Sequence, residues 1–232
     1  MLVLNSSDPT WESILPHLSA LPSDRVIILT LPGGEPPKTI QKVLSHYEQS
    51  VADSYAREVH ANQYRWRRII LRFLLARVIG CEPAEVAVDL GTLGKPSNPQ
   101  LGFNLAFSGD RVGYIWGPKG KSLGIDLEVP SSRKADSYRA VAERFFSPEE
   151  RKWLVNQEDE GGWTVFVDGF YTLWCRKEAL VKALGVSIGS HADICPVLGD
   201  GSGEFIVDWE GLRWEVSDLK VPGLYGAKAL QI

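Results

Sequence analysis

The stretch that decides the fold reads Gly124-Ile125-Asp126-Leu127-Glu128, and fifty residues later the chain reads Trp174-Cys175-Arg176-Lys177-Glu178-Ala179-Leu180-Val181-Lys182. The first stretch is typical of a β-strand, in which side chains two residues apart share a face, so its two acids point the same way. The second is typical of a helix, in which residues four apart are neighbours, so Glu178 lies beside Lys182. Three carboxylates and an ammonium of this kind predict a site for a hard divalent cation and a phosphate.

The composition is that of an ordinary soluble globular protein, with 44% apolar and 23% charged residues among 232. No apolar run approaches the roughly 18–20 residues that cross a bilayer, and the N-terminus lacks the features of a secretory signal. The cysteines Cys81, Cys175 and Cys195 form no CxxC pair, which argues against a disulfide framework or a zinc site. We therefore expect a reduced, cytoplasmic protein, and its net charge of −4 argues against a general nucleic-acid binder.

The helical and extended patterns of the chain do not alternate as they do in βαβ proteins. Apolar spacing predicts helices at residues 38–49, 56–79, 135–146, 148–157 and 166–184. Short β-prone runs predict strands at residues 26–31, 103–107, 112–116, 122–128, 204–208, 212–216 and 224–230. This segregation favours an α+β fold over a doubly wound sheet.

Each acidic group also has an ordinary structural interpretation. Two acids such as Asp126 and Glu128 occur by chance on exposed strands, but apolar residues flank them here. Like charges so close in a half-buried strand repel each other, and a cation would relieve that repulsion. Glu178 and Lys182 also match a common helix-surface pair that stabilises by a few tenths of a kcal/mol. The two interpretations stay open on spacing alone.

Further basic residues offer weaker signals for anion binding. Gly94-Lys95-Pro96 lies in a turn-rich segment, where its lysine is either an exposed turn residue or a phosphate contact. One helix carries arginines that form either a solvated flank or a phosphate-binding row: Arg57, Arg65, Arg68 and Arg72. No Walker loop, G-x-G-x-x-G or G-x-S-x-G motif occurs, so nucleotide-fold and serine-hydrolase chemistry have no support.

In this order, several segments resemble those of 4′-phosphopantetheinyl transferases of the surfactin-synthetase-activating type, in the holo-acyl-carrier-protein synthase superfamily. The matching segments are GKP (94–96), FNLAFS (103–108), GIDLE (124–128), RFFSPEE (144–150), WCRKEALVK (174–182) and GLYGAKAL (223–230). The resemblance runs from about residue 55 to the C-terminus. Its most specific part is GIDLE followed, fifty residues later, by W-x-x-KEA-x-x-K.

The resemblance implies a monomeric pseudo-dimer of two similar α+β halves, residues 1–121 and 122–232, each a small antiparallel sheet packed with helices. It implies an enzyme that binds coenzyme A and moves its 4′-phosphopantetheine group onto a serine of an acyl or peptidyl carrier protein. Adenosine 3′,5′-bisphosphate is released, and Mg²⁺ is required. The carrier partner would be acidic. Basic residues that form either a landing surface for it or an ordinary mixed surface are Arg133, Lys134, Arg139, Arg144, Arg151 and Lys152.

Carried over residue by residue, the resemblance assigns Asp126, Glu128 and Glu178 to Mg²⁺. It places Lys182 at the coenzyme A pyrophosphate, and it gives Glu178 the proton of the attacking serine, directly or through a metal-bound water. The residues that it implies for coenzyme A binding are Lys95, Pro96, Ser108, Lys177, Lys182 and Arg68.

The sequence departs from the family at one place. Ala106 and Phe107 stand where the family usually has a serine-histidine pair, whose histidine contacts the 3′-phosphate of coenzyme A. A phenyl ring cannot donate a hydrogen bond to phosphate, so this anchor is lost unless an arginine replaces it. The departure favours one alternative to the transferase, a homologue that only binds coenzyme A or carrier protein. A metal-dependent nuclease is another alternative, because a carboxylate pair followed by Glu-x-x-x-Lys also suits phosphodiester cleavage, but the net acidity of the chain disfavours it.

Overall fold

The computed structural model describes residues 1–4, 9–22, 25–90, 95–131, 135–191 and 195–232. Within these ranges the helices are α1 (Trp11–Ser19), α2 (Lys38–Gln41), α3 (His46–Asp53), α4 (Glu58–Ile79), α5 (Ala135–Phe145), α6 (Pro148–Leu184) and α7 (Ile188–His191). The strands are β1 (Leu2–Leu4), β2 (Val26–Thr30), β3 (Asp89–Leu90), β4 (Pro96–Ser97), β5 (Leu101–Ser108), β6 (Arg111–Pro118), β7 (Leu123–Glu128), β8 (Glu204–Trp209), β9 (Leu212–Asp218) and β10 (Tyr225–Gln231). The fold is α+β, as the sequence predicted.

The described chain divides into two compact units. The first contains residues 1–100 and 110–114, and the second contains residues 101–109 and 115–232. Strand β6 is therefore shared between the units. The expected boundary at residue 121, and the similarity of the two halves, stay predictions.

In the first unit, β1 and β2 pair in parallel, with Leu2 opposite Ile27. Parallel neighbours need a crossover connection, and α1 supplies it. This pairing corrects the expectation that the N-terminal half contains a wholly antiparallel sheet. Every residue of β2 is buried, as is usual for a parallel strand that is covered on both faces.

The predicted helix at 38–49 is instead two helices, α2 and α3. The second begins at Ser45, whose hydroxyl accepts a hydrogen bond from the backbone N–H of Glu48, while the Glu48 carboxylate accepts one from the Ser45 N–H. This reciprocal capping box starts a new helix inside the predicted one. In the long helix α4, the arginines Arg68 and Arg72 are buried rather than solvated.

The second unit contains an antiparallel sheet in the order β7-β10-β9-β8. Asp126 of β7 lies opposite Ala227 of β10. Helix α6 covers the predicted helices at 148–157 and 166–184 without a loop, but its backbone is non-helical at Gly162, with φ 77° and ψ −172°. That conformation is essentially restricted to glycine, so Gly162 marks a kink between two helical segments. None of the described helices is long and apolar enough to cross a membrane.

Helix α6 packs directly against strand β7. A Cβ atom at Gly124 would overlap the carbonyl oxygen of Ala179 and come within 2.6 Å of the backbone nitrogen of Ala183. Only glycine permits this approach of strand and helix backbones. Because side chains alternate along a strand, Asp126 and Glu128 share the Gly124 face and meet the same helix.

Candidate active site

Asp126 is a buried carboxylate on strand β7, with 4% of its surface exposed. Its Oδ1 accepts a hydrogen bond of 2.5 Å from the Lys182 ammonium, whereas its buried Oδ2 has no partner within the part of the chain that the structure describes. Burial raises the pKa of Asp126 to about 7; the Lys182 charge opposes this shift, and the nearby carboxylates of Glu178 and Glu128 add to it. The protein therefore holds a carboxylate where its charge is costly.

Helix α6 supplies the other side of the site. Lys182 Nζ lies 3.5 Å from Glu178 Oε2 in addition to its contact with Asp126. The bonded oxygens of Asp126 and Glu178 are therefore separated by no more than the sum of those two distances. Burial alone would lower the pKa of Lys182, but the two carboxylates raise it overall, so the ammonium stays charged. The structure thus brings together three of the four predicted groups, with the Lys182 ammonium in contact with both Asp126 and Glu178.

Glu128, the second acid of the strand, is held on both oxygens. Its Oε1 accepts a hydrogen bond from the indole Nε1–H of Trp174 at 3.2 Å, and its Oε2 accepts one from the Ser108 hydroxyl at 3.1 Å. Trp174 precedes Glu178 by one helical turn, so it lies on the same face of α6. Glu128 is therefore fixed by side chains from both β5 and α6.

Strand β5 also completes the free edge of β7, which pairs with β10 on one side only. Asn104 Oδ1 accepts from the backbone N–H of Ile125 at 3.1 Å, and Ser108 Oγ accepts from the N–H of Val129 at 3.0 Å. These side chains satisfy backbone donors that would otherwise lack a partner at a strand edge. Ser108, which the resemblance assigned to coenzyme A, thus contacts Glu128 and the backbone that follows it.

Cys175 is a site residue that sequence reasoning missed. Its side chain is fully buried beside Asp126. Burial raises the pKa of this thiol well above its usual value, and the charges of Asp126 and Glu128 and a hydrogen bond to the Asp126 side chain raise it further. The thiol therefore stays protonated and is no nucleophile. Its position three residues before Glu178 is the sequence signal that places it on the face of α6 that meets Asp126.

Lys177 does not join this cluster. It is fully buried, with its Nζ 2.8 Å from Glu150 Oε2 and donating to the Cys195 carbonyl oxygen at 2.9 Å. The implied contact of Lys177 with a coenzyme A phosphate stays a prediction, and it would require a phosphate to compete with Glu150 for a buried ammonium.

Arg68 lies in the first unit, where its Nε donates to Glu48 Oε1 at 2.6 Å. Pro96 begins β4 and Lys95 immediately precedes it; both are half-buried, while Gly94 of the same motif lies outside the described residues. The coenzyme A contacts expected of these residues stay predictions.

The expected carrier-landing surface is only partly described, since Arg133 and Lys134 lie outside the described residues. Two of its other members pair with acids. Arg139 donates to Glu158 at 2.8 Å, and Arg151 lies 2.7 Å from Glu143.

The carboxylates of Asp126, Glu128 and Glu178 are suitable ligands for a divalent cation in chemical type, but their spacing in the structure is not that of a metal site. Within the described ranges, no three His, Cys, Asp or Glu side chains are grouped so that they could hold a metal ion together. Asp126, however, offers a buried carboxylate oxygen without a donor, and Mg²⁺ prefers carboxylate oxygens as ligands. The Oδ2 atom of Asp126 is therefore the carboxylate oxygen of this cluster that could accept a cation without losing a hydrogen bond.

Comparison with known proteins gives a consistent family. The sequence model of the 4′-phosphopantetheinyl transferase superfamily matches residues 122–225, a segment that contains both β7 and α6. The 4′-phosphopantetheinyl transferase HetI of Nostoc sp. (strain PCC 7120) is 31% identical over 198 residues, which are 80% of this chain and 78% of HetI.

For two further relatives, the match covers a smaller share of the relative's own length. The provisionally named 4′-phosphopantetheinyl transferase slr0495 of Synechocystis sp. is 32% identical over 178 residues, which are 75% of this chain and 66% of that protein. The 4′-phosphopantetheinyl transferase of Bacillus subtilis is 29% identical over 128 residues, 54% of this chain and 53% of that enzyme. The chain therefore belongs to the 4′-phosphopantetheinyl transferase family, as its sequence motifs predicted.

Proposed function

We propose that the protein transfers the 4′-phosphopantetheine group of coenzyme A to a serine of an acyl or peptidyl carrier protein and releases adenosine 3′,5′-bisphosphate. The similarity to HetI and to the Bacillus subtilis enzyme, both named as 4′-phosphopantetheinyl transferases, supports this reaction. The observation that carries it is the buried Asp126, which shares the Lys182 ammonium with Glu178 and keeps one oxygen without a donor. Buried carboxylates with strongly raised pKa values, such as Asp126, are characteristic of functional sites.

The proposed reaction needs charge neutralisation and positioning more than covalent chemistry from the protein. The serine oxygen forms a bond to the phosphorus that carries pantetheine, and the bond from that phosphorus to the adenosine-side phosphate oxygen breaks. Glu178 accepts the serine proton, and the electron pair leaves with the bisphosphate. Lys182, which remains charged between two carboxylates, offsets the negative charge that grows on that leaving group.

We propose that Asp126, Glu128 and Glu178 hold a Mg²⁺ ion in this reaction. When bound, the ion supplies charge neutralisation at the pyrophosphate. The chain's own contribution is to fix these oxygens: Ser108 and Trp174 orient Glu128, and the packing of α6 on Gly124 sets the separation of strand and helix.

A binding-only homologue is the second candidate, and Phe107 favours it. Its side chain is 51% exposed and cannot donate to a phosphate. The same substitution leaves the groups at Asp126 unchanged, so we place the transferase first.

The decisive experiment incubates the pure chain with a panel of apo carrier proteins, coenzyme A and Mg²⁺, and weighs each carrier by mass spectrometry. The transferase adds one phosphopantetheine to the acceptor serine, and a carrier with that serine replaced by alanine stays unmodified. Addition should cease when EDTA replaces Mg²⁺. Coenzyme A binding without mass gain on any carrier would identify the binding-only homologue instead, and plasmid nicking with Mg²⁺ would identify a nuclease.

We also propose that the protein works as a cytoplasmic monomer that binds neither nucleic acid nor membrane. Cys81, Cys175 and Cys195 are all free thiols in the structure, which suits a reducing compartment. The net charge of −4 disfavours a polyanionic partner. Light scattering after size exclusion tests the oligomeric state, because a mass twice that of the chain would contradict the monomer.

A further inference from the structure

Two side chains on different elements hold the Glu128 carboxylate. The Ser108 hydroxyl from β5 donates to Oε2, and the Trp174 indole N–H from α6 donates to Oε1. The neighbouring acid Asp126 differs, since its Oδ2 has no donor in the described structure. Of the two strand acids, Glu128 therefore has a donor on each carboxylate oxygen, whereas Asp126 has one oxygen without a donor, which we call its open oxygen.

The Ser108 hydroxyl makes two hydrogen bonds, one as an acceptor and one as a donor. Its oxygen accepts the N–H of Val129 at 3.0 Å, which leaves its single proton for Glu128 at 3.1 Å. The hydroxyl therefore ties the Glu128 side chain to the backbone immediately after it. A contact with a coenzyme A phosphate would require this proton to leave Glu128.

The Trp174 indole is itself held in place. Its ring lies edge-on to Phe145 of α5, at 5.6 Å between centroids, and stacks on Phe170 of α6 at 6.3 Å. An indole N–H can only donate, so a carboxylate oxygen is a fitting partner. Rotating the ring away from Glu128 would lose both aromatic contacts.

We propose that Ser108 and Trp174 are positioning residues that pre-orient Glu128 for a divalent cation bound at the open oxygen of Asp126. Donors to a ligating carboxylate fix its orientation, and their loss commonly weakens metal affinity by roughly 10–100-fold. The proposal rests on the proposed function, because it assigns the cation of that reaction to this pair of acids. It also assigns Ser108 to the cation site instead of to coenzyme A binding, which the resemblance implied.

The test measures Mn²⁺ affinity of the full chain without coenzyme A or carrier, from the electron paramagnetic resonance signal of free Mn²⁺. Ser108→Ala and Trp174→Phe should each weaken binding roughly 10–100-fold. Ser108→Thr, which keeps a hydroxyl, should restore most of the affinity. Matched controls are Ser19→Ala, whose hydroxyl bonds only within α1 to Leu15, and Trp163→Phe, whose indole stacks on Phe166 of α6.

A second comparison separates positioning from a general structural effect. In a Glu128→Ala background, Ser108→Ala and Trp174→Phe should change residual Mn²⁺ affinity less than about twofold, because both act through Glu128. Equal losses with and without Glu128 would overturn the proposal. Wild-type affinity in both single variants, or no Mn²⁺ binding by the wild type, would overturn it as well.

Turnover measurements distinguish failure of the positioning roles of Ser108 and Trp174 from failure of the proposed transferase function. If the wild type modifies carriers, both variants should need more Mn²⁺ for half-maximal turnover while KM for coenzyme A at saturating Mn²⁺ stays the same. A raised KM with unchanged Mn²⁺ affinity would return Ser108 to coenzyme A binding. If no carrier is modified, the proposed function fails, but the Mn²⁺ comparison still decides the roles of Ser108 and Trp174.

Discussion

Two buried carboxylates, one in each unit, show how differently this chain treats the same group. Glu48 is 1% exposed and accepts from Arg68, Arg72 and the Ser45 N–H, at 2.6, 2.7 and 2.9 Å. Burial would raise its pKa, but Arg68, the Ser45 N–H and Arg72 lower it overall. Asp126 is almost as buried, yet its pKa is raised to about 7 and one oxygen lacks a donor.

The difference lies in how many donors each carboxylate meets. Glu48 is saturated with donors, as buried polar groups in proteins normally are. In the second unit the Oε2 atom of Glu150 accepts from the Ser147 N–H and lies 2.8 Å from the Lys177 ammonium. Asp126 departs from that rule within the same unit, because the described residues supply no donor to its Oδ2.

The largest expected effect comes from Asp126→Asn, which keeps the shape of the side chain and removes its charge. Metal-ion catalysis supplies several kcal/mol, so we expect carrier modification to fall by at least about 10⁴-fold, or roughly 5 kcal/mol. The free energy of unfolding should change by no more than about 1 kcal/mol, because the substitution removes a desolvated charge and Lys182 keeps Glu178. The measurements are transfer rate and urea denaturation. Near-normal turnover in this variant would show that Asp126 holds no cation.

Glu48→Gln should give the opposite result. It leaves Arg68 and Arg72 buried without their shared counter-charge, so the free energy of unfolding should fall by about 3–5 kcal/mol. The Mn²⁺ affinity of the folded fraction should stay at the wild-type value, because the site at Asp126 lies in the other unit. Urea denaturation and Mn²⁺ titration measure the two quantities. If stability is unchanged, the Glu48 cluster does not hold the fold as its contacts indicate.

Helical spacing predicted which residues of α6 lie together, but it did not predict which face is buried. Lys177 and Lys182 are five residues apart, which turns them about 140° from each other around the helix. One ammonium is enclosed with Glu150 and the other meets Asp126, and both of these acids are distant from the lysine in the sequence. Only the packing of the helix on Gly124 distinguishes them.

The elements with strong local signals were predicted from the sequence, and those set by distant contacts were not. The strands β7, β8 and β9 were predicted correctly from short β-prone runs. The parallel pairing of β1 with β2 depends on contacts across α1, which no local pattern reveals. The bond from Ser108 to Glu128 likewise joins residues of separate strands, so a motif could name Ser108 but not its partner.

Acid should weaken the Glu48 cluster in a defined direction. The folded pKa of Glu48 lies below its ordinary value of 4.5, so its contribution to stability is complete above pH 4.5. That contribution is lost as the pH falls through the lower folded value, because both states then bind the proton. The difference in unfolding free energy between wild type and Glu48→Gln should therefore shrink in urea titrations below pH 4.5. A difference that stays constant through that range would show that Glu48 is already protonated in the folded protein.

The smallest effect should come from Phe107→His, which restores the residue usual in the family at a position that is 51% exposed. An exposed ionic contact contributes about 0.2–1 kcal/mol, so coenzyme A should bind at most about fivefold more tightly at pH 6. Calorimetry with coenzyme A and with its 3′-dephospho form makes the test specific, since only the former carries the phosphate in question. Phe107→Leu, which supplies no donor, should bind both ligands as the wild type does. A histidine variant that gains equally for both ligands would mean that residue 107 lies away from the 3′-phosphate, and the binding-only alternative would then lose the observation that favours it.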